Sequence, residues 1–210
     1  MQTHEETLTL LDHKIYTYSA RPDGKVRANV LLVHGLGEHC RRYDHVIEAM
    51  TRAGIAVMAF DHIGHGRSSG KRGVYRYATA WELMKMIRDR IIAESPETPL
   101  FLYGHSLGGA LVLTYAQRFP EHLRGVISTS PGLGTVPEFS KAYVALMGLL
   151  TKMIPSKTVN NGLPDENLYR SESKTKTDDP LRHSEISLGL GYDLVTLGRD
   201  MVQRPDPFPL

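Results

Sequence analysis

Four short runs of apolar residues constrain this chain more than anything else in it. They are Asn29-Val30-Leu31-Leu32-Val33, Ile55-Ala56-Val57-Met58-Ala59-Phe60, Leu100-Phe101-Leu102-Tyr103 and Gly125-Val126-Ile127-Ser128. None alternates polar with apolar. A strand with one wet face alternates, so these read as strands buried on both faces, the kind found in parallel sheets covered by helices. The segments between them carry helical spacing. Tyr43, Val46, Ile47 and Met50 recur over residues 41–53, with Gly54 in the place of a C-cap glycine. Trp81, Met84, Ile87 and Ile91 recur over residues 77–93, and Ser95-Pro96 and Thr98-Pro99 end that helix. A third helix runs over 107–119 and stops at Pro120. Strand and helix alternating through short connections predict an α/β fold with a mainly parallel sheet and crossover helices. A small antiparallel hairpin over 8–11 and 14–18, around Asp12-His13, precedes them, and Arg21-Pro22-Asp23-Gly24 is a turn.

The alternation breaks after Pro131. An apolar helix over 139–154, a polar stretch over 156–177 and a second helical region over 184–202 follow. These segments hold too many large apolar residues for a flexible spacer and read as a cap. The expected organisation is therefore a core over residues 1–131 with the first six strands, a helical cap over 132–203, and the start of further core over 204–210.

Charge and composition narrow the function. Among 210 residues, 25 Lys and Arg stand against 23 Asp and Glu, a net charge of +2 that offers no broad field for nucleic acid. The single cysteine, Cys40, permits no intrachain disulfide, which fits a reducing compartment. The start, Met1-Gln2-Thr3-His4-Glu5-Glu6, lacks the apolar core of a secretory signal. The longest uncharged apolar stretch lies between Lys141 and Lys152 and falls short of the roughly 20 residues that span a bilayer. The expectation is a cytoplasmic protein, with peripheral membrane or lipid-droplet contact through the cap left open.

Gly104-His105-Ser106-Leu107-Gly108 leaves a strand directly and opens a helix directly. This is the G-x-S-x-G pattern in its strand–turn–helix setting. A serine hydroxyl is a weak nucleophile and must stand clear of the backbone where a base can reach it. A sharp turn does this, and glycines on either side remove Cβ atoms that would clash where strand and helix nearly touch. Ser106 is therefore the expected nucleophile. In such sites one oxyanion donor is the N–H of the residue after the nucleophile, here Leu107. The other comes from the loop after an earlier strand, here His34-Gly35-Leu36-Gly37, with Leu36 the expected donor. Each donor contributes roughly 3–4 kcal/mol of transition-state stabilisation. Cys40, three residues past Gly37, is expected to lie close to the site, where a bulky thiol reagent would crowd it.

Three other readings of these loops are weaker. Gly35-Leu36-Gly37 resembles the start of a dinucleotide fingerprint, with Asp61 a ribose ligand, but Cys40 stands where the third glycine belongs. His34, His39, His45, His62, His65 and His105 match no zinc spacing, and no cofactor or metal is expected. A direct catalytic role for the loop from Asp61 to Gly70 is the third, and that loop is assigned instead to structural support of the site.

His34-Gly-Leu-Gly-Glu-His39 with Arg42-Tyr43, Phe60-Asp-His-Ile-Gly-His-Gly-Arg-Ser68 with Gly70, Gly104-His-Ser-Leu-Gly-Gly109, Ser130-Pro131 and Asp179-Pro-Leu181 together resemble the monoglyceride lipase and lysophospholipase branch of the α/β-hydrolases, the serine aminopeptidase S33-like group. The resemblance covers essentially the whole chain. It implies an α/β-hydrolase fold with an eight-stranded sheet, a small helical cap over the serine, and hydrolysis of acyl esters, typically monoacylglycerols, through an acyl-serine intermediate. In that fold the triad runs serine, acid, histidine in chain order. Pro205-Asp-Pro-Phe-Pro-Leu210 reads as the approach to the next strand, so the triad acid and histidine are expected beyond it and the 210-residue chain is expected to be weakly active or inactive. Asp178, Asp179 and His183 have the right order but no strand to fix them, and His105 points away from its neighbour on the turn. A non-catalytic protein binding an acyl ligand and an S33-type peptidase are the alternatives.

Overall fold

The computed structural model describes residues 1–133, 139–162, 179–203 and 208–209. A six-stranded sheet organises them, in the order β1 (Gln2–Leu10), β2 (His13–Arg21), β4 (Ile55–Phe60), β3 (Ala28–Val33), β5 (Leu100–His105) and β6 (Leu123–Thr129). The β1–β2 hairpin joins antiparallel, β2 pairs antiparallel with β4, and the remaining pairs are parallel. The first crossover includes α1 (Asp44–Arg52), the second α2 (Tyr77–Glu94) and the third α3 (Leu107–Arg118).

The unbroken apolar run of β3 does what its pattern dictates, whereas the run in β6, the edge strand among the described residues, is only part-buried, with Ile127 44% exposed. Along β3, Val30 and Leu32 point into one core with Tyr16, Tyr18, Val57 and the α1 residue Ile47. Leu31 and Val33 point into the other, with Phe60, Leu83, Met84, Ile87, Leu111 and Tyr115 from β4, α2 and α3. Both faces are dry, so a polar residue at any of these positions would go unsatisfied. Register then brings three chain ends together: Val33 lies opposite Phe60 on one side and Gly104 on the other. The loops that follow β3, β4 and β5 therefore leave the sheet side by side at its C-terminal edge, where open α/β sheets build their sites.

Two expected elements differ in detail. The helix expected over 41–53 begins as a 3₁₀ turn, Cys40–Tyr43, and becomes α-helical at Asp44. The region expected to be helical from Ser184 opens instead with a short strand, β8 (Glu185–Ser187), paired antiparallel with β7 (Thr158–Asn160). This two-stranded ladder seats the second cap helix, α5 (Leu188–Gln203), beside the first, α4 (Lys141–Met153). Ser140 caps α4 by accepting the Tyr143 N–H at 3.2 Å. Residues 163–178, most of the polar stretch, lie outside the described residues. Among the described residues no helix is long and apolar enough to cross a membrane.

Candidate active site

The turn between β5 and α3 is strained. Ser106 has φ 54° and ψ −118°, a conformation that costs an L-residue on the order of 1–3 kcal/mol. Its neighbours hold it there. The Ser106 N–H donates to the Thr129 carbonyl at 3.0 Å, and the Ser106 carbonyl accepts from Ala110 at 3.1 Å and Gly132 at 3.0 Å. A Cβ on Gly104 would stand 2.2 Å from the Gly108 carbonyl oxygen, so strand and helix approach only because both positions are bare. Leu107, 2% exposed, opens α3, where a backbone N–H has no acceptor within the helix.

The loop after β3 faces this turn. A Cβ on Gly35 would lie 3.3 Å from the Ser106 Cβ, which puts the loop backbone against the serine side chain. Leu36 follows, packed against the main core. Glu38 holds the loop in shape: its Oε1 accepts the Gly35 N–H at 2.6 Å and the Tyr43 hydroxyl at 2.5 Å, and its Oε2 lies 3.4 Å from the Arg42 Nε. Burial, and then the nearby Glu38 carboxylate, push the Tyr43 hydroxyl far above its ordinary range, so it stays a donor. Sequence reading quotes Glu38 only as part of a motif. A carboxylate three residues after a glycine that must keep its N–H occupied is the signal it left unused.

Asp61, at the end of β4 and fully buried, joins two loops. Its Oδ1 accepts the Cys40 N–H at 2.8 Å and its Oδ2 the Arg67 N–H at 2.8 Å, while its carbonyl accepts the Ser68 hydroxyl at 2.7 Å. These bonds commit the carboxylate to the protein backbone. Cys40 is fully buried in the second core, and burial, then the Asp61 charge, raise its thiol well above the usual value. The expectation that Cys40 borders the site as a reactive handle is corrected here: a bulky thiol reagent has no path to it, because its side chain turns into the sheet.

Three histidines gather behind the loop. His34 donates from Nδ1 to the Gly35 carbonyl at 2.7 Å and accepts the His62 N–H on Nε2 at 3.0 Å. His62 donates from Nε2 to the His34 carbonyl at 3.2 Å and stacks on Tyr75 at 5.1 Å. His65 packs against His34, His62 and Tyr75. Burial is the main cause that holds all three below their ordinary value, His62 at about 4. These rings are neutral braces between backbone segments. Among the described residues no group of three or more histidine, cysteine or carboxylate side chains is placed to hold a metal ion.

The cap reaches the same loops. Asp179 Oδ2 lies 2.8 Å from the His39 Nε2 and 3.3 Å from an Arg42 nitrogen, and its Oδ1 accepts the Leu181 N–H at 3.0 Å. Burial tends to raise the Asp179 carboxyl, but the His39 and Leu181 hydrogen bonds outweigh it and hold the group low. His183 donates its backbone N–H to the Gly37 carbonyl, and its ring packs against His65 at 4.4 Å. His105 turns the other way, its Nδ1 2.9 Å from the Thr129 hydroxyl. Asp178 lies outside the described residues. Among the described residues no side chain hydrogen-bonds the Ser106 hydroxyl, and Asp179 and His183 are engaged with other partners. Farther along, Asp193 of α5 grips the core: it takes a bidentate pair from Arg76 at 2.7 and 2.6 Å and caps α2 by accepting the Tyr77 N–H at 3.0 Å.

A strained serine at a strand–helix turn, with a glycine loop pressed against it, at the C-terminal edge of a mainly parallel sheet is the arrangement of α/β-hydrolases. Comparison with known proteins agrees. The chain is 32% identical over 192 residues to a monoacylglycerol lipase of Mycolicibacterium smegmatis, covering 87% of this chain and 66% of that protein. It is 32% identical over 192 residues to the monoglyceride lipase of Rattus norvegicus, covering 83% of this chain and 59% of that protein. The crystal structure of the Paleococcus ferrophilus monoacylglycerol lipase superposes with a TM-score of 0.79 at 38% identity, covering 91% of this chain and 74% of that one. The chain thus spans about two thirds or less of the length of these curated relatives. Residues 24–209 match the model of the serine aminopeptidase S33 family, and the chain belongs to that family of α/β-hydrolases.

Proposed function

We propose that the protein is a serine ester hydrolase that cleaves monoacylglycerols, or the closely related lysophospholipids, with Ser106 as nucleophile and the Leu36 and Leu107 amides as oxyanion hole. The strained Ser106 backbone carries this reading. Nothing in folding requires an L-residue at φ 54° there, and strain of this kind concentrates where a side chain must be presented for chemistry. In the proposed reaction the Ser106 hydroxyl loses its proton to a base as its oxygen attacks the ester carbonyl. The tetrahedral oxyanion is held by the two amides, and glycerol leaves with a proton as the acyl-serine forms. Water then repeats the sequence and releases the fatty acid. In such hydrolases the base and its carboxylate follow the nucleophile in chain order, and we assign neither among the described residues, where no side chain is bonded to the hydroxyl.

The same reading takes residues 1–131 as the catalytic core, 132–203 as the cap and 204–210 as the resumption of the core. The cap is read as the lipid-facing element of a cytoplasmic protein. Tyr143, Leu146, Leu149, Met153 and Ile154 are exposed along α4 and just past it, between and beside Lys141 and Lys152, and a helix with such a face favours an interface. The test is fluorophosphonate labelling of the full-length protein together with release of fatty acid from a monoacylglycerol. Both are expected in the natural sequence, with hydrolysis reduced about 10⁶-fold in Ser106→Ala. Labelling that persists in Ser106→Ala, or equal turnover by that variant, would remove Ser106 from the mechanism.

A further inference from the structure

The loop that carries Leu36 is held from above by the cap. His183 donates its N–H to the Gly37 carbonyl at 2.9 Å, and the His183 carbonyl oxygen stands 2.0 Å from where a Cβ on Gly37 would be. Gly37 also has φ +70°, so both its space and its conformation are reserved for glycine. Two residues on, the Glu185 carbonyl oxygen would lie 2.2 Å from a Cβ on Gly73, and the Ser187 N–H donates to the Gly73 carbonyl at 3.0 Å. The segment from His183 to Ser187 is thus seated on two glycines of two different core loops.

The His183 side chain adds a second contact. Its Nδ1 accepts the Glu185 N–H at 3.1 Å, so its Nε2 carries the hydrogen. His65 donates from Nδ1 to the Ile63 carbonyl at 3.2 Å, so its Nε2 carries the lone pair. Both Nε2 atoms are buried, and neither has a hydrogen-bond partner among the described residues. The rings lie 4.4 Å apart and inclined at 59°. A proton on His183 would occupy Nδ1 and end its acceptance of the Glu185 N–H, and a proton on His65 would place a charge in a buried site.

We propose that His183 is a positioning residue for the Leu36–Gly37 loop: its backbone seat on Gly37, fixed by the bond that its Nδ1 accepts from the Glu185 N–H, holds that loop in the shape the reaction uses, and uptake of a proton by the ring loosens it. This rests on the ester-hydrolase reading of Ser106. The groups that face the pair are His34 from the loop after β3, His62, Arg72 and Tyr75 from the segment between β4 and α2, and Glu185 from β8. Burial, then the Arg72 charge, pull His183 down to about 4, and burial holds His65 low with His183 and His62 adding to it. The pair is neutral at pH 7 and protonates on acidification.

The experiment is hydrogen–deuterium exchange of the backbone over residues 35–43 in the protein, at about pH 7 and about pH 4, corrected for the intrinsic rate. It compares the natural sequence with His183→Asn and His183→Ala. Asparagine supplies an oxygen where the ring has Nδ1, so it keeps the acceptor for the Glu185 N–H but cannot titrate. His183→Asn should retain the neutral-pH protection and lose most of the extra exchange seen on acidification, and His183→Ala should exchange faster already at pH 7. In ester hydrolysis His183→Ala should lower kcat about tenfold, a fraction of what loss of a whole oxyanion donor costs, with KM little changed and kcat recovered in His183→Asn. Unchanged exchange over 35–43 in His183→Ala, or an acid response in His183→Asn equal to that of the natural sequence, would overturn the proposal. If alanine prevents folding, the His183→Asn acid response decides alone. A full-length protein that hydrolyses no ester would refute the hydrolase reading, and the exchange data would still decide the role of His183.

Discussion

Gly108 and Val33 touch through bare backbone: a Cβ on Gly108 would stand 2.1 Å from the Val33 carbonyl oxygen and 2.6 Å from that of His34. The first turn of α3 therefore rests on the end of β3, which sets the Ser106 turn beside the loop that begins at His34. Gly108→Ala must push helix and strand apart against backbone atoms that cannot rotate away. The expected loss is about 3 kcal/mol or more, at the upper end of overpacking effects. Urea unfolding of the two proteins checks it, and a change under about 1 kcal/mol would mean that the helix slides at little cost.

Asp61 makes the second prediction. Both carboxylate oxygens are occupied by backbone N–H groups, from Cys40 in one loop and Arg67 in another. In Asp61→Asn one oxygen becomes an NH₂ facing an N–H, so a buried donor goes unpaired. The expected cost is about 2–3 kcal/mol. Proteolysis should also quicken at Arg67, which is exposed and loses its backbone anchor. Equal stability and an unchanged cleavage pattern would show that the loops hold each other by other means.

Much of this architecture is legible in the residues because it is local or periodic. The strands at Val30, Val57 and Leu102 declare themselves by runs with no polar face, and the Ser106 turn by glycines at fixed spacing. What escapes is long-range. Asp193 caps α2 from 116 residues away, and nothing around Asp193 in the chain distinguishes it from any polar residue on a helix. The pairing of β7 with β8 escapes for a related reason: three residues on each side carry no readable period, and the ladder exists because the cap needs it. Cys40 is misread because the chain between Gly37 and Asp44 is tightly wound, so three residues suffice to turn its side chain from the site into the core. Glu38 is visible in the sequence but its task is not, since it depends on Gly35, Arg42 and Tyr43 meeting in space.

The exposed face of α4 makes the third prediction. Leu146 and Leu149 are 54% and 57% exposed, whereas Leu150 is half-buried. The substitution pair that tests lipid contact without touching packing is therefore Leu146→Glu with Leu149→Glu, and not a pair that includes Leu150. Partitioning onto anionic vesicles should drop at least about tenfold, because two apolar side chains are lost and two negative charges added near Lys141 and Lys152. The circular dichroism spectrum should stay unchanged. Vesicle co-sedimentation equal to that of the natural sequence would reject the lipid-facing role of this helix.

The last prediction concerns acid. His34, His62 and His65 are buried and neutral, each with a nitrogen committed to the backbone, and His34 Nε2 accepts an N–H that a protonated ring could not accept. In the unfolded chain the same rings gain protons near pH 6.5, whereas in the folded protein burial delays this, for His62 until about 4. Between those values the unfolded state binds more protons, so stability must fall as the pH falls. It is fully present above about pH 6.5 and is lost at up to roughly 1.4 kcal/mol per pH unit for each histidine below it. His183, also near 4, adds in the same direction. Carboxylates titrate mostly below this window, so they mask little of the effect between about pH 7 and pH 5. The urea midpoint should be flat from pH 8 to about pH 7 and then decline steadily to pH 5, with the slope m nearly constant. His62→Gln, which keeps a side-chain donor for the His34 carbonyl but cannot titrate, should start less stable at pH 7 and decline less steeply. A midpoint that does not move between pH 7 and pH 5 would show that these rings are already protonated in the folded protein, or that water reaches them.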